Sequence, residues 1–443
     1  GEGTPPQAVS FGKSSKNANI FALTDEAGYV SLFRTPTENT KTYSCNKIEK
    51  WKLSEWIGHQ NSILDVCWIK DDRNLLTSSG DQTIKLWDPQ EKKCSAVMTG
   101  HSGTVKSLSP HPTNSDIFVS GSRDGSFALW DLRCDNASTS RCGEQTIFST
   151  SKVGRAHLSQ HSKRFRRRKG SSMSITSVLY LKDDISVASA GAVDSVVKFW
   201  DTRRLKAPII KASPYTPAQE KILHGISSLS QDSSGMFLTA ACMDSKIYLY
   251  NILGLEKGPI RSFSGGRIDS FYVKAAISPD ASHVLSGSSD GNVYVWQVNN
   301  ADEPPMIAEG HQGEVTSVDW CTNDKGKLAT CSDDLTVKVW KMESTCHHLA
   351  KWPYARRRRV MAMPYECRET LEDGDGKGNI LPGSPCSVHP FHAMYSLMTP
   401  VSKEKTSSNY AAGKSPEAAS PSSVLNPPSS LKRKTIRDYF LSS

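Results

Sequence analysis

Seven stretches of the chain repeat one pattern: an apolar run, a turn of small and acidic residues, then an alternating run closed by an aromatic residue. Four of them are "LLTSSGDQTIKLWD" ending at Asp88, "IFVSGSRDGSFALWD" ending at Asp131, "VASAGAVDSVVKFWD" ending at Asp201 and "VLSGSSDGNVYVWQ" ending at Gln297. "LATCSDDLTVKVWK" ending at Lys341 is a fifth, and "FLTAACMDSKIYLYN" ending at Asn251 and "IFALTDEAGYVSLFR" ending at Arg34 are degenerate copies. Alternation such as Ile84, Leu86 or Val337, Val339 marks half-buried strands, and the Gly, Ser and Asp residues between the runs supply tight hairpin turns. Three units are preceded by a third apolar run that opens with Gly-His: Gly58-His59, Gly100-His101 and Gly310-His311. The interval from His to the closing Trp is 28, 29 and 29 residues, from His59 to Trp87, His101 to Trp130 and His311 to Trp340. A small sheet with two apolar faces cannot bury both alone, whereas seven arranged about an axis pack each on its neighbours.

The pattern resembles the WD40 repeat, which implies an all-β fold: a seven-bladed β-propeller of four strands per blade. In that family the His, the turn Asp and the blade Trp form a buried network with a Ser or Thr. The resemblance implies this structural role for His59, Asp81 and Trp87, for His101, Asp124 and Trp130, and for His311, Asp334 and Trp340. Three units depart from the pattern. The first has Phe33 for Trp and no Gly-His, the fifth has Tyr250 and a reversed His224-Gly225, and the sixth keeps Trp296 but has Gly265-Gly266. The last unit has no visible fourth strand, and the other end of the chain, before Gly1, is the expected donor. The propeller is expected over 1–345, with a basic insertion at 134–172 that is disordered in isolation and a disordered tail over 346–443.

Composition agrees with that division. Only 37% of the 443 residues are hydrophobic, low for a wholly globular chain. No run of about 18 apolar residues occurs, and the opening "GEGTPPQAVS" has no signal-peptide character. Residue 1 is Gly, so an earlier segment is expected to be missing. Eleven cysteines contain no CxxC pair, and Cys67, Cys242 and Cys331 sit in strand-like runs, which reads as buried free thiols. Cys346, His347 and His348 lack a second ligand pair at a metal spacing, so neither a metal nor a cofactor is assigned. The net charge of +9 is concentrated in "KRFRRRKG" (163–170) and "ARRRR" (355–359). Such clusters suit nuclear import or an acidic partner, and a nuclear location is expected.

Two of the Trp-Asp pairs are followed by arginine at the same offset: "LWDLR" with Trp130, Asp131 and Arg133, and "FWDTR" with Trp200, Asp201 and Arg203. The other units read "WDPQ" (Gln90), "YNIL" (Leu253), "WQVN" (Asn299) and "WKME" (Glu343). Both arginines are expected on one rim of the propeller, where a planar fork of donors suits acidic or carbonyl-rich surfaces. Residues 118–133, and less tightly 187–203, resemble the DWD box of WD40 proteins that dock on the DNA-damage-binding adaptor of cullin-4 ubiquitin ligases. "AGAVDSVVKFWDTR", "FYVKAAISPDASHVLSGSSDG" and "ATCSDDLTVKVW" are similar to the denticleless family, the replication-linked substrate receptors of that class. The similarity covers about Ile20 to Lys341.

The tail adds a short apolar motif to a sparse Pro/Ser/Ala/Lys stretch. In "RKTIRDYF", Ile436, Tyr439 and Phe440 stand at i, i+3 and i+4, so one helical turn puts them on one face. This resembles a box that binds the sliding clamp PCNA, with Arg433 at the usual Gln position. Ser415, Ser420 and Thr399 each precede Pro, as do proline-directed phosphosites. The resemblance implies a non-catalytic receptor that docks on the ligase adaptor and targets clamp-bound degron substrates, such as a replication licensing factor. Direct nucleic-acid contact is compatible with the basic clusters but is not required, and no membrane role is indicated. Two rival readings are a non-ligase WD40 scaffold in chromatin assembly or replication, and a nucleic-acid-binding propeller whose affinity falls steeply with salt. Catalysis has no support, since no phosphate loop, nucleophile constellation or metal-ligand spacing is present.

Overall fold

In each repeat, residues of one parity face one neighbouring sheet and those of the other parity face the next, so the alternation specifies a radial stack. A computed structural model describes residues 3–35, 51–134, 138–139, 145–157, 174–214, 223–300, 302–342, 359–361 and 391–398. It contains seven antiparallel four-stranded blades. From the innermost strand outward, blade 1 is Pro6–Phe11, Ile20–Asp25, Tyr29–Arg34 and Lys52–Ile57, and blade 2 is Ile63–Ile69, Asn74–Ser79, Ile84–Asp88 and Lys93–Thr99. Blade 3 is Val105–Pro110, Ile117–Ser122, Phe127–Asp131 and Ser151–Val153, and blade 4 is Ile175–Tyr180, Ser186–Gly191, Val197–Asp201 and Ile210–Ala212. Blade 5 is Ile226–Gln231, Phe237–Cys242, Lys246–Asn251 and Arg261–Ser264. Blade 6 is Ala275–Ile277, His283–Ser286, Val293–Gln297 and Met306–Glu309, and blade 7 is Val315–Trp320, Lys327–Ser332, Thr336–Met342 and Phe391–Met398.

The core lies between blades. Ile84, Leu86 and Met98 of blade 2 share one buried cluster with Val105, Phe118 and Trp130 of blade 3. Ring closure uses the same device, since Phe11, Phe21 and Phe33 of blade 1 pack on Ala329, Cys331, Val337 and Val339 of blade 7. An innermost strand has an edge with no further strand to pair, and its N–H groups need other acceptors. Side chains from the preceding blade supply them. Leu108 N–H donates to Asp65 Oδ2 (2.8 Å), Tyr180 N–H to Ser109 Oγ (2.9 Å), Leu229 N–H to Ser177 Oγ (3.0 Å) and Ala275 N–H to Ser228 Oγ (2.9 Å). Phe11 N–H donates to Asp319 Oδ2 (2.8 Å) and closes the circle between blades 7 and 1.

Two expectations from sequence need correction. The fourth strand of blade 7 comes from the C-terminal side, where Phe391–Met398 pairs antiparallel with Thr336–Met342. The N-terminal Pro6–Phe11 is blade 1's own innermost strand, so closure is side-chain packing plus hydrogen bonds between two complete blades. The compact unit accordingly runs from Thr4 to Thr399, which takes this strand out of the stretch read as tail. The basic insertion is also partly built into the sheets. Ser151–Val153 is the outer strand of blade 3, and Gln145–Phe148 adds parallel to the outer strand of blade 2. Residues 158–173, with the first basic cluster, lie outside the described residues. In the same manner Arg359–Met361 adds parallel to the outer strand of blade 6.

Candidate docking surface

Each blade turns the chain at two ends. The turns between second and third strands and the connections from one blade to the next lie on one face. The turns between first and second strands and the third-to-fourth connections lie on the other. The Gly-His and turn-Asp positions therefore belong to the first face, and the residues after Trp-Asp belong to the second.

On the first face the expected networks are complete. His59 Nδ1 is 2.8 Å from Asp81 Oδ2 and its Nε2 2.8 Å from Thr77 Oγ1, which accepts from Trp87 Nε1 at 2.9 Å. His101, Asp124, Ser120 and Trp130 repeat this in blade 3, and His311, Asp334, Thr330 and Trp340 in blade 7. The chain of donors fixes the proton positions. The Asp81 carboxylate only accepts, so the neutral His59 carries its proton on Nδ1, and its Nε2 accepts from the Thr77 hydroxyl, whose oxygen in turn accepts from Trp87. Burial holds His59 and His311 below the ordinary 6.5 despite that carboxylate. Burial pushes Asp81 the other way, yet the bonds from His59 and Thr83 hold it down at about 2.

Blade 4 has the same network, and its histidine escaped sequence reading. His157 Nδ1 is 2.8 Å from Asp194 Oδ2, its Nε2 is 2.8 Å from Ser189 Oγ, and Trp200 Nε1 donates to Ser189 Oγ at 2.9 Å. His157 lies inside the stretch read as an insertion, and the basic cluster at 163–170 falls between it and Ile175, so the interval from His157 to Trp200 is 43 residues and the spacing rule does not find it. A lysine closes each network over the carbonyl that precedes the His. Lys85, Lys198 and Lys338, each two before the blade Trp, donate to the carbonyls of Gly58, Ala156 and Gly310. Blade 3 has Ala128 at that position, and its cross-strand partner Lys152 reaches Gly100 O instead (2.7 Å). In blades 5 and 6 tyrosine takes over, as Tyr248 and Tyr294 donate to Asp244 (2.5 Å) and Asp290 (2.7 Å).

These networks make a testable statement about pH. His59, His157 and His311 are neutral in the fold and depressed by burial, so the unfolded chain takes up protons first as pH falls. Their contribution is complete above about 6.5 and declines below it, and the depressed Asp81 and Asp194 add a second loss below about 4. The urea midpoint is therefore lower at pH 5.5 than at pH 7.5. A midpoint that rose on acidification would contradict the neutral-histidine assignment.

Other chemistry finds no support among the described residues. Cys242 and Cys331 are buried and free, and burial pushes the Cys242 thiol up to about 12, far from a reactive thiolate. Among the described residues no group of His, Cys, Asp and Glu is placed to hold a metal. Cys346, His347 and His348 lie outside them.

On the second face, the two Trp-Asp-x-Arg segments form one and the same turn. Asp131 Oδ1 accepts from Arg133 N–H (3.0 Å) and Nε (2.9 Å), while Oδ2 accepts from the guanidinium Nη2 (2.7 Å). Asp201 holds Arg203 identically at 2.9, 2.9 and 2.7 Å. The guanidiniums are thereby fixed in direction yet exposed, at 57% and 69% of the side chain. The bond from Arg203 holds the Asp201 carboxyl down at about 2. Trp130 and Trp200 are buried beneath and offer no surface, so their part is to fix the strand end. Blades 3 and 4 are neighbours, joined by Phe127 against Trp200 with ring centres 5.2 Å apart, which puts both turns on one rim.

The tail motif at Arg433, Ile436, Tyr439 and Phe440 lies outside the described residues, as do 163–170 and 355–358. Residues 50–88, 92–131, 258–297 and 303–341 match the WD domain, G-beta repeat family. "Denticleless protein homolog A" of Xenopus laevis is 33% identical over 411 residues, covering 90% of this chain and 56% of that protein. "Denticleless protein homolog" of Gallus gallus is 36% identical over 351 residues, covering 76% of this chain and 48% of the relative. "Protein lethal(2)denticleless" of Drosophila melanogaster is 31% identical over 351 residues, covering 76% and 45%. The chain spans about half the length of the curated relatives it matches. With seven blades, the WD40 repeats and these relatives together, the chain is a WD40 protein of the denticleless family.

Proposed function

We propose that this protein is the non-catalytic substrate receptor of a cullin-4 RING ubiquitin ligase. The observation that carries the reading is the pair of Asp-braced, exposed arginines at one turn of consecutive blades in a denticleless-family propeller. Bracing matters because a free arginine loses rotamer entropy on docking, and one already held by its own carboxylate loses less. The guanidinium N–H groups not used by the aspartate remain available to carbonyls or carboxylates of the DNA-damage-binding adaptor.

In this reading the receptor is a bridge working in the nucleus. Arg133 and Arg203 engage the adaptor, the Ile436, Tyr439 and Phe440 box tethers the tail to the sliding clamp, and the propeller meets degrons of replication proteins held on the same clamp. Tethering raises the effective concentration of degron at the receptor, worth about 10² to 10⁴ in avidity without a better contact at the degron. Ubiquitin transfer belongs to other subunits.

The test is gel filtration of the purified chain with the purified adaptor. A 1:1 complex is expected. Two separate peaks at micromolar concentrations of both would overturn the receptor reading and favour a non-ligase scaffold.

A further inference from the structure

The docking turn recurs with other side chains in blade 2, where Asp88 Oδ1 accepts from Gln90 N–H (2.9 Å), and in blade 5. In blade 5 the strand Lys246–Asn251 ends in Asn251, whose Oδ1 accepts from Leu253 N–H at 2.9 Å. This is the bond that Asp131 makes to Arg133 N–H (3.0 Å) and Asp201 to Arg203 N–H (2.9 Å). Blades 3, 4 and 5 therefore present Arg133, Arg203 and Leu253 at one structural position along one rim. We propose that Leu253, with Met236 beside it, is the apolar anchor of the surface whose polar part is Arg133 and Arg203, and that all three engage the same partner. This rests on the receptor reading and extends it to blade 5.

Leu253 is 80% exposed, and a single exposed leucine needs no explanation. Three further observations set this one apart. First, it is held. Asn251 caps the short 3-10 segment Ile252–Lys257, Gly258 N–H returns to Leu255 O at 3.2 Å, and Leu255, two residues on, is buried against blades 4 and 5. The turn thus plugs Leu255 inward and presents Leu253 outward on a backbone that is already ordered before binding. Second, it has apolar company. Ile252 N–H donates to Met236 O (2.9 Å), which brings the 39% exposed Met236 to its side. In blade 4 the matching bond, from Thr202 N–H to Ile185 O (2.9 Å), sets Ile185, also 39% exposed, beside the Arg203 turn. Third, the apolar stretch has an end on each side, because the equivalent position is Gln90 in blade 2 and the exposed Asn299 in blade 6.

The order along the rim is polar, Arg133, Arg203 with Ile185, Leu253 with Met236, polar. A partner rigid enough to reach both arginines lies along this arc and runs onto the blade 5 turn. It must offer carbonyls or carboxylates opposite the two guanidiniums and a hydrophobic depression opposite Leu253. An apolar anchor beside oriented charge is the usual anatomy of an interface, in which the charges give orientation and on-rate and the buried side chain gives residence time.

The experiment is adaptor affinity by surface plasmon resonance at two salt concentrations, for wild type, Leu253→Ala, Leu253→Asp and Arg133→Ala with Arg203→Ala. Leu253→Ala is expected to weaken binding about 10-fold, chiefly through faster dissociation and with the salt dependence of wild type, and Leu253→Asp about 100-fold. Since the side chain is exposed, thermal melts of both variants should superpose on wild type. If wild type binds, the arginine pair is needed and both Leu253 variants bind like wild type, the anchor is refuted while the receptor reading stands. If wild type itself does not bind the adaptor, both fall together.

Discussion

On the proposed receptor role, replacing Arg133 and Arg203 together with alanine is expected to weaken adaptor binding by more than about 100-fold, while the unfolding transition stays where it was. Buried interface arginines are among the side chains whose truncation costs most. Here the loss has two parts. Each substitution removes a planar fork that its own aspartate holds in direction, and it uncovers a carboxylate that the arginine had neutralised. Asp131 and Asp201 are both held below the usual carboxylate range by their arginines and stay ionised at neutral pH once released. A surface that offered donors then offers negative charge to a partner selected for acceptors. Lysine at both positions keeps the charge but not the two-pronged bond to aspartate that sets the direction, so it restores only a minor part of the affinity. Isothermal titration of the double alanine, double lysine and wild-type chains checks this. Wild-type affinity in the double alanine variant would mean that the two arginines are incidental.

His157→Ala lowers stability by about 2 to 4 kcal/mol, the amount expected when a buried polar network and its packing are lost together. The imidazole is fully buried and joins Asp194 to Ser189, and through Ser189 to Trp200. Its removal leaves Asp194 with Lys198 as remaining charge partner and leaves Ser189 without the acceptor for its proton. The space cannot close easily, because the backbone of Gly191 lies directly against the ring, where even a Cβ would come within 2.6 Å of His157 Cβ. Urea unfolding followed by tryptophan fluorescence measures the loss. A change under about 0.5 kcal/mol would show that the 145–157 segment is not part of the core. The same measurement on His59→Ala, where no insertion intervenes, gives the scale.

The arithmetic of the repeats explains what was legible and what was not. Second and third strands, their hairpin turn and the closing aromatic lie within about 15 consecutive residues, so alternation and turn chemistry determine them locally. That is why seven units, the networks of blades 2, 3 and 7, and the two Trp-Asp-x-Arg turns could be read from the chain alone. His157 could not be read, because its distance from Trp200 is set by an inserted connection rather than by the sheet. The same holds for the outer strand of blade 7. "FHAMYSLM" alternates as a strand should, but residues 343–390 separate it from Met342, and nothing local states which edge it completes. Leu253 shows the limit most clearly. Its equivalence in register to the two arginines is visible in sequence, yet the shared capping bond of the turn and the exposure of the leucine appear only in the folded blades. Sequence by itself determined the blades, because each hairpin closes on near neighbours. Tertiary structure decided how the ring closes and which side chains share a rim, because those contacts join segments that chain distance keeps apart and only packing brings together.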